Sequence, residues 1–420
     1  GTGADSVVLG STTKAIAMGA GDDTVKYGGA LLTGGSVDAG ADRDTIIMTG
    51  NQANAINTSL DNKFNTTFFN FEVLEIDTNL PAALATIDTR KINNVSQVTV
   101  AAGLTTNSTI KNLVDGGTVK FTADQTGSLN VDIFEPHTST ASVLNLELSA
   151  DAVVRDAGTV VAAGVETINI NSDDTATTPT SITHLLALTA ADATSIVVAG
   201  DAAVDLTTTA AAKVTNFDAS AVTATGATGI VTFTSTNKTV GEIVTIKGGA
   251  GIDHLTGTLE ANDTIIGGAG DDTLVYAGTA VTFIGGGADT FTGGAGKDTF
   301  DVNGLGTKAL HLTITDLSKD DEIDLAGITT IATATTLSDK IAIGAGATFD
   351  QALDKAAAGN GLTTAGILEW FQFKGNTYLV VDNDNTGPAF LEDTDSVIKI
   401  TGLVDLKGSA VSAAEVITIA

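Results

Sequence analysis

The chain has 420 residues, 43% of them hydrophobic but only 5% aromatic, so it can bury a sizeable core that Val, Ile, Leu and Ala must fill. Fifty acidic residues against twenty basic ones give a net charge of −30, which makes nucleic acid and anionic membrane poor partners. There is no cysteine, so disulfide staples and thiolate metal sites are excluded, and no apolar run approaches the ~20 residues of a membrane span.

The chain opens in mid-repeat, which leads us to expect a piece of a longer protein. Residues 1–47 form a short run of nine-residue units. GTGADSVV (1–8) carries Asp5 and Val7, MGAGDDTVK (18–26) carries Asp23 and Val25, and AGADRDTII (39–47) carries Gly40, Asp44 and Ile46. The unit between the first two, 9–17, keeps Ile16 but has Lys14 at the aspartate position.

Residues 48–247 carry no clear nine-residue motif. They hold strand-like runs: FEVLEID (71–77), QVTVAAG (97–103), VLNLELS (143–149), VETININ (165–171), SIVVAGD (195–201) and IVTFTST (230–236). Several of these alternate apolar and polar residues. A continued β-solenoid is expected, with a β-sandwich as the alternative.

Residues 248–301 read as six consecutive units of the pattern G-G-x-G-x-D-x-U-x, where U is a large apolar residue. GGAGIDHLT (248–256), GGAGDDTLV (267–275) and GGAGKDTFD (293–301) match at every defined position. TLEANDTII (258–266) keeps Asp263 and Ile265. YAGTAVTFI (276–284) keeps Phe283 but has Val281 for the aspartate. GGGADTFT (285–292) is one residue short and keeps Asp289 and Phe291.

Each position of the unit has a physical role. Glycine admits backbone with φ > 0, so the chain can turn tightly and aim carbonyl oxygens inward. Aspartate supplies a hard carboxylate ligand, and calcium takes six to eight oxygens of mixed carboxylate and carbonyl origin. The x-U-x segment is a short strand whose middle side chain points into the core. Two units make one coil of a parallel β-roll with ions between stacked turns. The expected calcium ligands are Asp5, Asp23, Asp44, Asp253, Asp263, Asp272, Asp289 and Asp298, with backbone carbonyls near Gly249, Gly251, Gly268, Gly270, Gly294 and Gly296. Without a cation, carboxylates at this step would repel one another. Counting by units puts Asp253, Asp272 and Asp289 on one row and Asp263, Val281 and Asp298 on the other, which is broken at Val281. It puts Asp5 and Asp23 on a shared row, with Lys14 spoiling the opposite one.

Residues 302–420 read as a separate β-rich closing unit: LTITDLSKDDEIDLAGI (312–328), EWFQFKGNTYLVVDNDNTG (369–387) and DSVIKITGLVDL (395–406), with a short helix expected around 349–358. Such a unit caps the open end of a solenoid. Trp370 is expected to be a core anchor. Asp382, Asp384 and Gly387 are expected to form a solvated turn rather than a calcium loop. His137, His184, His254 and His311 are scattered, with no H-E-x-x-H and no G-x-S-x-G elsewhere, so no enzymatic activity is expected. GGAGKDT (293–299) lacks the spacing and the hydroxyl of a phosphate loop.

The repeats resemble those of RTX proteins exported by type I secretion. GADSVVLGSTTKAIAMGAGDDTV (3–25), NFDASAVTATG (216–226), TVGEIVTIKGGAGIDHLTG (239–257), WFQFKGNTYLVVD (370–382) and VIKITGLVDL (397–406) further resemble the C-terminal part of RTX-type surface-layer proteins of the Caulobacter kind. The resemblance implies an all-β parallel β-roll or β-solenoid with a β-rich C-terminal cap. It implies calcium as the bound ion, self-association into a two-dimensional lattice on the cell surface, and an export signal within roughly 340–420. It also implies anchoring to lipopolysaccharide through an N-terminal domain that has no counterpart here. A secreted adhesin, or the repeat and export module of a secreted hydrolase, would share the repeats.

Overall fold

Short runs that alternate apolar and small polar residues, separated by glycine and asparagine turns, favour strands with one buried face. The computed structural model follows that pattern. It describes all residues except 29–33, 60–61, 81–84, 135–140, 179–180, 227, 240–241, 259–261, 278–288, 304–311, 327–335, 359–366, 383–388 and 391–394. The chain forms two compact units, Gly1–Ala211 and Ala212–Ala420, and each is built on a parallel β-solenoid.

In the first unit, one sheet stacks nine strands in parallel: Ser6–Leu9, Thr24–Tyr27, Thr45–Met48, Val73–Ile76, Gln97–Val100, Thr118–Phe121, Val143–Ala150, Thr167–Asp174 and Ser195–Gly200. A second parallel sheet runs from Ala85–Asp88 through Ser108–Leu113, Ser128–Ile133, Asp156–Ala162 and Thr183–Thr189 to Ala203–Thr209. A small third sheet joins Ala15–Ala20, Ser36–Ala41 and Phe68–Phe69. The register aligns Val25, Ile46, Leu74, Val98, Val119, Leu146, Ile170 and Val198 in one buried ladder. An aliphatic core suffices because each coil needs only two or three inward side chains from each strand. The Gly50–Thr58 helix, which the sequence reading did not anticipate, starts on a reciprocal capping box between Thr49 and Gln52.

In the second unit, Asn216–Val222, Ile243–Lys247, Asn262–Ala269, Asp289–Ala295 and Leu312–Ile314 stack in parallel as one sheet. Val231–Thr234, Asp253–Thr256, Thr273–Val275, Thr299–Asp301 and Glu322–Asp324 form the facing one. The U residues Leu255, Ile265, Leu274, Phe291 and Phe300 are all fully buried, as the motif requires.

The stack ends by changing direction. Ser396–Ile400 lies parallel to Leu312–Ile314 and then pairs antiparallel with Asn376–Asp382, which continues into Ile367–Phe373. On the other sheet Val416–Thr418 runs antiparallel to Glu322–Asp324. The expected helix is present at Phe349–Ala357 and buries Ala352, Leu353 and Ala356 against Phe371, Tyr378 and Val380. Trp370 is buried and its indole N–H donates to the Ser338 carbonyl at 3.0 Å, which makes it the anchor expected.

Candidate calcium rows

Each repeat turn places its aspartate where the chain leaves the glycine corner and enters a strand, so stacked turns superpose their carboxylates. In the second unit the backbone N–H of Asp253 donates to Asp272 Oδ1 at 2.9 Å and that of Asp272 to Asp298 Oδ1 at 3.0 Å. The N–H of Asp298 donates in turn to Asp321 Oδ1 at 3.0 Å. On the facing sheet the N–H of Asp263 donates to Asp289 Oδ1 at 2.7 Å. Asp253, Asp263, Asp272, Asp289 and Asp298 are all buried.

The row assignment read from the sequence is therefore corrected. Asp298 belongs with Asp253 and Asp272, and Asp289 belongs with Asp263. The cause is the coil length. Asp253 to Asp272 spans 19 residues, but Asp272 to Asp298 and Asp263 to Asp289 both span 26. The step from one coil to the next is thus longer than two nine-residue units at this point, and the parity of the later aspartates flips. Val281 and Phe283 lie outside the described residues, as do Asp384, Gly387, His137 and His311.

The first unit repeats the construction. Asp5 N–H donates to Asp23 Oδ1 at 2.7 Å and Asp23 N–H to Asp44 Oδ1 at 2.8 Å, so the expected pairing of Asp5 with Asp23 is present and Asp44 extends it. Asp44 N–H then donates to Glu72 Oε2 at 2.9 Å. Lys14 is exposed and contributes no carboxylate. Asp382 is buried at the end of its strand, and His254 is exposed.

The glycine corners stack by direct backbone contact. Gly268 has φ +124°, and a Cβ built on it would lie 2.2 Å from the Gly249 carbonyl oxygen. Gly294 has φ +109°, and its Cβ would lie 2.1 Å from the Gly268 oxygen. No side chain fits such a site. Gly270 and Gly296 meet the carbonyls of Gly251 and Gly270 in the same way, so carbonyl oxygens line the corners beside the carboxylates.

In Asp23, Asp44 and Asp272 one carboxylate oxygen accepts an N–H of the adjacent coil, in Asp263 one accepts the Thr258 N–H, and in each the other oxygen has no donor. Asp23 Oδ2, Asp44 Oδ2, Asp263 Oδ1 and Asp272 Oδ2 are buried without a hydrogen-bond partner. Burial pushes the Asp272 carboxyl up to about 8, helped by the neighbouring Asp253 and Asp298 charges. Burial also pushes Asp289 to about 8, and Asp253, Asp263 and Asp298 to about 6. Buried, mutually repelling carboxylates with orphaned oxygens are the environment a hard cation relieves. Among the described residues no three or more His, Cys, Asp or Glu side chains gather around one point. The donor set is thus stacked carboxylates plus backbone carbonyls, which suits calcium and does not suit zinc.

Family models scanned against the sequence give no match, and neither does a search of curated proteins.

Three residues of these rows were missed in the sequence. Glu72 and Asp321 continue the rows beyond the glycine motif. Asp316 accepts the N–H groups of Gly293 and Gly294, both at 2.9 Å, and so caps the last corner. The signal available for the first two is the spacing acid-x-apolar alone. Glu72-Val73-Leu74 and Asp321-Glu322-Ile323 repeat the phase of Asp298-Thr299-Phe300, without the glycines.

Proposed function

We propose that this chain is a calcium-folded structural protein of a bacterial surface layer, exported by type I secretion and assembling with copies of itself into a two-dimensional lattice. The observation that carries the calcium reading is the set of buried, partnerless carboxylate oxygens on stacked coils. Ions bound between coils would supply the charge that the rows lack and contribute folding free energy directly. Extracellular modules of this kind bind calcium at roughly 10⁻⁴–10⁻³ M, so the roll would form after export from a low-calcium cytosol.

The surface-layer reading rests on the resembling stretches outside the repeats, in particular 216–226, 370–382 and 397–406. It implies no catalysis, and attachment to lipopolysaccharide through a separate N-terminal domain. Calorimetric titration with calcium, followed by electron microscopy of the loaded protein, tests both parts. Ordered sheets in calcium that disperse in chelator support the lattice. Calcium binding with persistent monomers favours the adhesin or carrier reading, and absence of calcium binding removes both.

A further inference from the structure

The first unit carries a cavity that the calcium rows leave unexplained. The third sheet is short, ending at Phe68–Phe69, and the Gly50–Thr58 helix and Phe68 line a common cavity. Its volume is about 340 Å³. At ~30 Å³ per water this is room for about ten waters, or for a small molecule of about a dozen non-hydrogen atoms.

Its wall is aromatic. Phe64 and Phe68 are buried and stacked with ring centroids 4.4 Å apart, and Tyr27 stands edge-on to Phe68 at 5.5 Å. In a chain with 5% aromatic residues this is a concentrated apolar surface. The opposite wall is preformed. The Gln52 side chain accepts the Thr49 N–H and donates to the Tyr27 carbonyl at 2.9 Å, tying the helix start to the solenoid.

The cavity is also cationic. Lys91 is held at the helix end by the carbonyls of Asn57 and Ser59, at 2.6 and 2.9 Å. Lys63 stands exposed at the rim beside Ala55. Among the described residues no hydrogen bond engages its ammonium. None of the described lining residues is acidic. In a chain of net charge −30, two of twenty basic residues thus line one aromatic cavity, with no acidic side chain among the described lining residues. An apolar cavity with a few convergent polar groups is the usual form of a small-molecule site. A cationic ligand would face two ammonium groups, and a neutral one would leave them unused.

We propose that this cavity binds a small aromatic carboxylate, its ring against Phe64, Phe68 and Tyr27 and its anionic group toward Lys63 and Lys91. The site shares no residue with the calcium rows and does not depend on them for its chemistry.

The test uses the full chain in calcium, with 2-naphthoate as probe and 2-naphthol as its neutral analogue, titrated by calorimetry. Saturable one-to-one binding of 2-naphthoate is expected. Ala55→Trp, an exposed position at the rim, should abolish it. Lys63→Gln should weaken 2-naphthoate about tenfold, as expected for losing one charged hydrogen bond, and leave 2-naphthol within about twofold. Circular dichroism of each variant should match the parent. No saturable binding by the parent, or binding untouched by Ala55→Trp in a folded variant, overturns the site. Equal weakening of both probes by Lys63→Gln overturns the anion assignment.

Discussion

The backbone N–H of Asp272 donates to a carboxylate oxygen of Asp298, 3.0 Å away, although 26 residues separate them. A coil of two nine-residue units would have put Asp289 there. The contact makes Asp253, Asp272, Asp298 and Asp321 one continuous row, with Asp272 flanked on both sides by acids.

This arrangement predicts which substitutions couple. Asp272→Ala removes a ligand shared between two gaps in the row, whereas Asp263 has one acidic neighbour, Asp289, in its row. Calorimetry should show a larger calcium loss for Asp272→Ala than for Asp263→Ala. In a double-mutant cycle, Asp272→Ala and Asp298→Ala should be non-additive by about 1 kcal/mol or more, while Asp272→Ala and Asp289→Ala should add. The reverse pattern would restore the row order counted from the sequence.

Much of this was legible in the sequence because the solenoid is written locally. Each strand needs only an alternating run, and SIVVAGD and VETININ fall on Ser195–Gly200 and Thr167–Asp174. The phase between distant coils was not legible. A connection can lengthen without changing the motif on either side, and residues 276–288 contain enough glycine and apolar residues to imitate two units. Asp321 and Glu72 escaped for the opposite reason: they keep the carboxylate and the inward apolar residue but lack the glycines. The Gly50–Thr58 helix has no basic residue in its last turn and no acid in its first, so only its capping box marked it.

The pH dependence of the metal-free chain follows from the raised carboxyls. Asp272 and Asp289 titrate near 8 in the folded chain, and Asp253, Asp263 and Asp298 near 6, against 3.8 for a free side chain. Between those values the folded state holds protons that the unfolded state has released. Stability in chelator is therefore highest below about pH 4 as far as these groups are concerned, and it falls as pH rises through 6 and 8. Denaturation followed by circular dichroism in chelator should show this decline, and calcium should abolish it. Calcium binding at pH 7 should also release protons, measurable by calorimetry in buffers of different ionisation enthalpy.

The corners predict an asymmetry among glycines. Gly294→Ala combines positive φ with a Cβ 2.1 Å from the Gly268 carbonyl oxygen, so the stacked corners must separate. Gly116 also has positive φ, at +73°, but nothing lies within 4 Å of its Cβ position. Gly116→Ala should cost about 1–2 kcal/mol from backbone strain alone. Gly294→Ala should cost more than about 3 kcal/mol and weaken calcium binding as well. Chemical denaturation in saturating calcium compares the two, and equal costs would count against a corner closed by backbone contact.

An inner member and the last member of one row should respond differently to the same neutral replacement. Asp272 uses Oδ1 for the Asp253 N–H and leaves Oδ2 buried without a donor. Asp321 spends both oxygens on the protein, accepting the Asp298 N–H at 3.0 Å and the Ser318 N–H at 2.7 Å. Asp272 thus has an oxygen to offer an ion, while Asp321 serves to end the row and hold the turn that follows it. An amide in place of Asp272 keeps the inter-coil hydrogen bond but loses the free anionic oxygen. An amide in place of Asp321 keeps one bond and sets an NH₂ against the Ser318 N–H. Asp272→Asn should therefore reduce the number of calcium ions bound with little change to the calcium-free fold. Asp321→Asn should leave the ion count unchanged and lower stability by about 1–3 kcal/mol, the usual cost of a buried unsatisfied donor. Ion stoichiometry by calorimetry and denaturation in chelator separate the two effects. A lost ion in Asp321→Asn would make that residue a ligand rather than a terminator.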